Sequence, residues 1–124
     1  QVKSLVLGVV LTVVGSALPA RAETVLLMAE EVGCYWCDRW DKEISAIYPK
    51  TSEGKAAPLR RYDLNKGAPE GVTFSSRVTY TPTFILVEDG VEIGRIEGYP
   101  GEDFFWGLLG KMLEQAGVDE KNTG

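Results

Sequence analysis

The apolar positions fall into blocks whose period changes along the chain. Leu5 to Leu18 is apolar except for Gly, Thr and Ser, and residues 24–29 (TVLLMA) form a second, short, nearly continuous run. A run of that length reads as a strand buried on both faces. Beyond it Cys37, Trp40, Ile44 and Ile47 recur at steps of three and four, while Asp38, Asp41, Lys42 and Glu43 fill the other side. That is the stripe of an amphipathic helix, and Tyr48-Pro49 closes it because a residue before proline is biased away from helix. Residues 51–57 are polar and contain glycine, hence loop. Residues 59–64 (LRRYDL) read as a second strand with Asn65-Lys66-Gly67 as its exit turn. Residues 68–78 are ambiguous: a short helix suits the connection, although Gly71 and a serine pair weaken it.

The second half is plainer. Residues 83–87 (TFILV) are rich in β-branched and aromatic side chains and predict a strand. Asp89-Gly90 is a hairpin turn, and residues 91–96 return as the partner strand, with a bulge expected at Gly94 where the alternation breaks. After a turn over 98–101, a final helix from Glu102 to near Gly117 carries Phe105, Leu108, Leu109, Met112 and Leu113 on one face. Strand, helix, strand, short helix, hairpin and helix together predict an α/β fold: a mixed four-stranded sheet flanked by helices on both faces.

The first apolar block differs from the rest. Lys3 is the only charge ahead of it, and Ala20-Arg21-Ala22 follows it. A basic start, an apolar stretch of about 7–15 residues and a small-x-small exit describe a secretory signal peptide over residues 1–22. The run falls short of the roughly 20 apolar residues of a spanning helix, and no cysteine near the exit offers a lipid acceptor. The remainder, 23–124, is one domain able to bury about two-thirds of its unfolded surface. Residues 1–22 hold Lys3 and Arg21 and no acid, so this domain keeps eleven basic against eighteen acidic residues, a net charge of −7. Such a domain repels phosphate backbones, which argues against nucleic acid as a partner. The chain has no histidine, so the usual neutral-pH general base and the commonest metal ligand are both missing.

The only two cysteines, Cys34 and Cys37, form one C-x-x-C at the entrance of the first helix. A bridge closing so small a loop restricts the unfolded chain little, so the pair is badly placed as a structural staple. A zinc site would need two more ligands, from a second chain. Two inert core cysteines remain conceivable, but Cys34 stands before the helical stripe. A redox pair explains the placement better. The unpaired N–H groups and partial positive charge of a helix start stabilise a thiolate on Cys34, the form that attacks a disulfide. Cys37, one turn on, is close enough to resolve the mixed disulfide.

Gly33-Cys-Tyr-Trp-Cys37 after a buried strand, then Thr81-Pro82-Thr83-Phe84 entering a strand, Asp89-Gly90, Gly94-Arg95 and Gly98-Tyr99 before an amphipathic helix, resemble the thioredoxin superfamily over residues 24–116. The resemblance implies a thioredoxin-like fold with no cofactor, and a cis Pro82 facing the C-x-x-C. It implies that the backbone of Thr81 pairs with substrate. The chain departs from thioredoxins proper: Gly33 replaces the tryptophan before the first cysteine, Tyr35-Trp36 replaces Gly-Pro, and Met28 stands at the buried acid. Glu30 or Glu31 is a candidate replacement acceptor for the Cys37 proton, or simply solvated. Tyr35 and Trp36 are either a docking surface for substrate or, for Trp36, packing against the helix; Tyr99 and Trp106 read as core. Export signal and glycine-led motif are most similar to the small periplasmic thioredoxins of bacterial sulfur-oxidation systems.

The resulting expectation is a monomeric, periplasmic thiol–disulfide oxidoreductase that reduces disulfides or mixed disulfides on partner proteins. A membrane-embedded thiol-transfer protein would be its electron donor. A disulfide oxidase or isomerase, or a non-catalytic thioredoxin-like binding module, are the alternatives, and insulin reduction separates an enzyme from a binding module. Mass spectrometry of the exported protein should find a chain beginning at Glu23, since residues 20–22 present the small side chains a signal peptidase reads. A full-length chain retained in the membrane would refute the cleavage.

Overall fold

A computed structural model describes residues 4–13, 15 and 23–120. Ala20, Arg21 and Ala22, on which the cleavage rests, lie outside the described residues, as do 121–124. Residues 4–13 have no regular secondary structure, and Leu5, Val6, Leu7, Val9, Val10, Leu11 and Val13 are exposed. No described helix is long and apolar enough to cross a membrane.

Strand β1 (Thr24–Glu30) lacks alternation because both of its faces are covered. Leu26 and Met28 join one apolar cluster, Leu27 and Ala29 another, and all four are fully buried. On one side β1 pairs in parallel with β2 (Leu59–Asp63), Leu26 opposite Leu59. On the other it pairs antiparallel with β3 (Thr83–Glu88), Val25 opposite Val87. Strand β4 (Val91–Glu97) returns antiparallel through a two-residue turn with Asp89 at φ 50° and Gly90 at φ 82°, so the order is β2-β1-β3-β4. This is the mixed four-stranded α/β sheet that the order of elements predicts. The bulge lies one residue earlier than expected: Val87 pairs with Glu92 and Leu86 with Gly94, which leaves Ile93 as the extra residue. Gly94 is paired, and its missing side chain admits the last helix, since a Cβ there would stand 2.9 Å from Cγ and Sδ of Met112.

The first helix is less regular than its stripe suggests. Helix α1 spans only Tyr35–Trp40 and opens into a π-helical turn, Asp41–Ser45, followed by a 3-10 turn, Tyr48–Lys50. A wider i→i+5 turn keeps positions four apart in line. Trp40, Ile44 and Tyr48 therefore all reach the core, and Ile47, expected on the stripe, is 43% exposed. The expected loop over 51–57 instead contains a short helix, α2 (Ser52–Ala56). Thr51 caps it: its Oγ1 accepts from the Gly54 N–H at 3.0 Å and donates to the Tyr48 carbonyl at 2.7 Å. The last helix, α3 (Glu102–Gln115), buries Phe105, Leu109, Met112 and Leu113. Leu108 falls on the flank of that face opposite Leu113 and is 43% exposed. The helix stops where the Gly117 and Val118 N–H groups bond the carbonyls of Glu114 and Leu113.

Helices α1 and α3 pack on one face of the sheet, with Leu26, Met28, Phe84, Leu86 and Ile96. The other face carries no such helix: residues 68–78 run irregular and extended, placing Val72, Phe74 and Val78 on Leu27, Ala29, Ile85 and Val87. Strand β4 takes up the backbone groups that a helix would use. Thr73 donates to the Gly90 carbonyl (2.7 Å) and accepts from the Glu92 N–H (3.0 Å). The Glu92 carboxylate accepts from the Ser75 N–H (3.1 Å), and Arg95, paired with Glu92 at 2.7 Å, donates to the Ser76 carbonyl (2.8 Å).

Gly54 sits directly against the Tyr48 carbonyl, so an added Cβ has no room. An alanine normally stabilises a helix by about 1 kcal/mol over glycine. Here Gly54→Ala should instead destabilise by about 1–3 kcal/mol in denaturant unfolding; equal or greater stability would show that α2 can shift away. Burial acts to raise the Glu92 carboxyl, but the bonds from Arg95 and Ser75 outweigh it and hold it below the usual carboxylate range. A depressed carboxyl contributes stability above its unfolded pKa, and that stability is lost as pH falls through the folded value. Glu92→Gln should therefore be less stable than wild type at neutral pH, with the gap closing in acid. A gap unchanged by pH would mean that charge plays no part.

Candidate active site

Cys34 follows the turn that ends β1 and occupies the N-cap of α1 (φ −79°, ψ 106°). Its N–H donates to the Glu31 carbonyl (3.3 Å) and its carbonyl accepts from the Asp38 N–H (3.1 Å). Its Sγ accepts from the Cys37 N–H at 3.1 Å. A donor aimed at sulfur favours the charged form of a thiol. Cys34 and Cys37 are joined as a disulfide with their Cα atoms 5.2 Å apart. Cys34 is 9% exposed and Cys37 3%, so the first cysteine is the more accessible, and both belong to the apolar cluster with Trp40 and Ile44.

The second loop of the site enters β3. The Thr81–Pro82 peptide is cis and Pro82 is buried. Three bonds fix this loop. Thr83 Oγ1 donates to the Tyr80 carbonyl (2.7 Å), the Gly98 N–H to the Pro82 carbonyl (2.7 Å), and Thr81 Oγ1 to Glu31 Oε1 (2.8 Å). The last bond brings Thr81 to the turn that carries Cys34.

Tyr35 and Trp36 flank the disulfide on the outside. They are 62% and 50% exposed, edge to face with ring centroids 5.0 Å apart. Arg39 bonds the Tyr35 hydroxyl at 3.4 Å while paired with Glu43 at 2.8 Å. Beside Trp36 a groove of about 430 Å³ is lined by Arg39, Glu43, Tyr99, Pro100 and Glu102. Tyr99 is buried, and burial, with Glu43 nearby, pushes its hydroxyl up to about 12. Trp106 is half-buried and stacks on Tyr48 at 6.0 Å.

Both carboxylates singled out in the sequence have partners. Glu30 accepts from Arg61 on β2, which also meets Asp41 at 2.7 Å and lies 5.8 Å from the Trp40 ring centre. Asp41 first, then Glu30, raises the Arg61 guanidinium above its ordinary value against the effect of burial. Glu31 takes Thr81 on one oxygen and Asn65 Nδ2 (3.3 Å) on the other. Arg61 and Asn65 were missed in the sequence. They meet their partners across 31 and 34 residues, and no local pattern signals such a contact. Among the described residues no group of three or more His, Cys, Asp or Glu is placed to hold a metal ion.

A redox-ready cysteine pair at a helix entrance, beside a cis-proline loop on a β2-β1-β3-β4 sheet, makes the chain a thiol–disulfide oxidoreductase, and it belongs to the thioredoxin family. No protein-family model and no curated protein matches it. In particular, it is similar to the periplasmic thioredoxin SoxS from Paracoccus pantotrophus, whose crystal structure is of the reduced form. That structure is 51% identical with a TM-score of 0.74, the match spanning 76% of this chain and 99% of that one.

Proposed function

We propose that this chain is an exported reductant of protein disulfides, with Cys34 as nucleophile and Cys37 as resolving thiol. The observation that carries the assignment is the asymmetry of the two sulfurs. Both cysteines are buried, but Cys34 is the more exposed and has a backbone N–H aimed at its sulfur, whereas Cys37 is the more deeply buried, and burial opposes ionisation. In the reduced protein the Cys34 thiolate attacks one sulfur of a partner's disulfide, forming a mixed disulfide and releasing one partner thiolate. Cys37 then gives up its proton, attacks the Cys34 sulfur and expels the second partner thiolate. The partner gains two electrons and the chain closes its Cys34–Cys37 bond.

Tyr35 and Trp36 supply an exposed aromatic surface for the partner, and the Thr81 backbone beside Pro82 supplies the strand-like contact. The likeness to a periplasmic thioredoxin supports export, and so do the exposed apolar side chains among residues 5–13, in keeping with removal of residues 1–22. The same likeness supports a place in sulfur oxidation. On this reading the chain acts as a monomer and is re-reduced by a membrane-embedded thiol carrier.

Iodoacetamide at neutral pH should label Cys34 of the reduced protein first. Cys37→Ser should accumulate mixed disulfides with partners from a periplasmic extract, and Cys34→Ser should trap few. Equal trapping by the two variants, or faster alkylation of Cys37, would reverse the roles.

A further inference from the structure

The geometry points to Glu31 as a positioning residue whose carboxylate holds the substrate-facing Thr81 loop against the turn that carries Cys34. The inference deepens the reductase reading and rests on it. Glu31 belongs to three loops at once. Its carbonyl accepts from the Cys34 N–H (3.3 Å), its Oε1 from the Thr81 hydroxyl (2.8 Å) and its Oε2 from Asn65 Nδ2 (3.3 Å). These segments lead into α1, into β3 and out of β2; the last two are the ends of the long β2–β3 connection, with Asn65 and Thr81 sixteen residues apart, and Glu31 meets both from the turn after β1. Glu31 and Thr81 are both half-buried. A hydroxyl donating to a carboxylate is among the stronger hydrogen bonds, and with both oxygens engaged the side chain has little rotational freedom left.

A partner held by the Thr81 backbone must present its disulfide to Cys34 at a fixed offset, and small misplacements of a reacting group are costly. A small disulfide that touches only the sulfur needs no such register. Glu31 therefore acts on protein substrates through Thr81 without touching the reacting atoms. From the sequence Glu31 is a proton acceptor or a solvated side chain; its partners in the fold give it this third role.

The test compares reduction of insulin with reduction of 5,5′-dithiobis(2-nitrobenzoate) by the full chain under one external reductant. Glu31→Ala and Thr81→Val should each lower kcat/KM for insulin about tenfold, the size of one lost charged hydrogen bond, mainly through KM. The small disulfide should be reduced at the wild-type rate by Glu31→Ala. Glu31→Gln keeps an acceptor for Thr81 and should restore insulin reduction, and the double variant should be no worse than the poorer single one, because both remove the same bond. Insulin kinetics unchanged in both single variants, equal losses on both substrates, or multiplying losses in the double variant would overturn the inference. Should Glu31→Ala fail to fold, the near-isosteric Thr81→Val decides. Amide hydrogen exchange at Thr81 and Cys34, which needs no substrate, should speed up in Thr81→Val, and unchanged exchange counts against the tether. A wild-type protein inactive on insulin would instead sink the reductase reading, and exchange alone would then decide this one.

Discussion

The active site hangs on the burial of one ring. Helix α1 is six residues long, and an isolated helix shorter than about 12–15 residues is marginal in water. What holds α1 is Trp40, fully buried, with its ring 5.2 Å from Phe84, 5.8 Å from Phe105 and 6.3 Å from Tyr48. Phe84 stands two residues beyond Pro82, and Trp40 three beyond Cys37. The cysteine helix and the proline loop are therefore referenced to the same packed contact, and α3 closes over it through Phe105. Interiors packed this tightly transmit small displacements rather than absorbing them. The spacing between sulfurs and proline loop is thus set in the aromatic core as well as at the surface.

Charge adds a second layer around that core. Arg61 reaches from β2 to Glu30 at the end of β1 and to Asp41 at the first residue of the π-turn, with Trp40 beneath it. It fastens the start of the wide turn to the sheet. On the opposite face Glu92 and Arg95 do the corresponding work for the extended segment that leads toward Thr81. Each loop of the site is thus tied to a strand by an arginine–carboxylate pair, and the partly sheltered settings make these pairs worth more than freely exposed ones.

How far the sequence could be read depended on the range of the forces involved. Strands β1, β3 and β4 and helix α3 were legible, because the buried run at 24–29, the β-branched run at 83–87, Asp89-Gly90 and the Phe105–Leu113 stripe are all local signals. The cysteine pair was legible for the same reason. The π-turn was not, because its evidence is the choice of Tyr48 over Ile47 for the core, which the aromatic neighbours on β3 and α3 decide. Helix α2 hid because Gly54, a poor helix former, is required by the close approach of the Tyr48 carbonyl. The missing helix over 68–78 reflects competition from β4 for its backbone. The tether through Glu31 joins residues fifty positions apart, and nothing near either end announces it.

The bulge at Ile93 has a consequence for how molecules of this protein meet one another. Strand β4 lies at the rim of the sheet, and a straight, bare rim invites a second chain to add its own strand. Here the extra residue breaks the regular spacing of free amide and carbonyl groups, the bridge from Thr73 occupies the near end, and Glu92 and Arg95 set charge along the middle. A chain that folds among crowded neighbours is spared intermolecular β-stacking along this rim. The irregularity that spoils the alternation in β4 also works against strand addition at this edge.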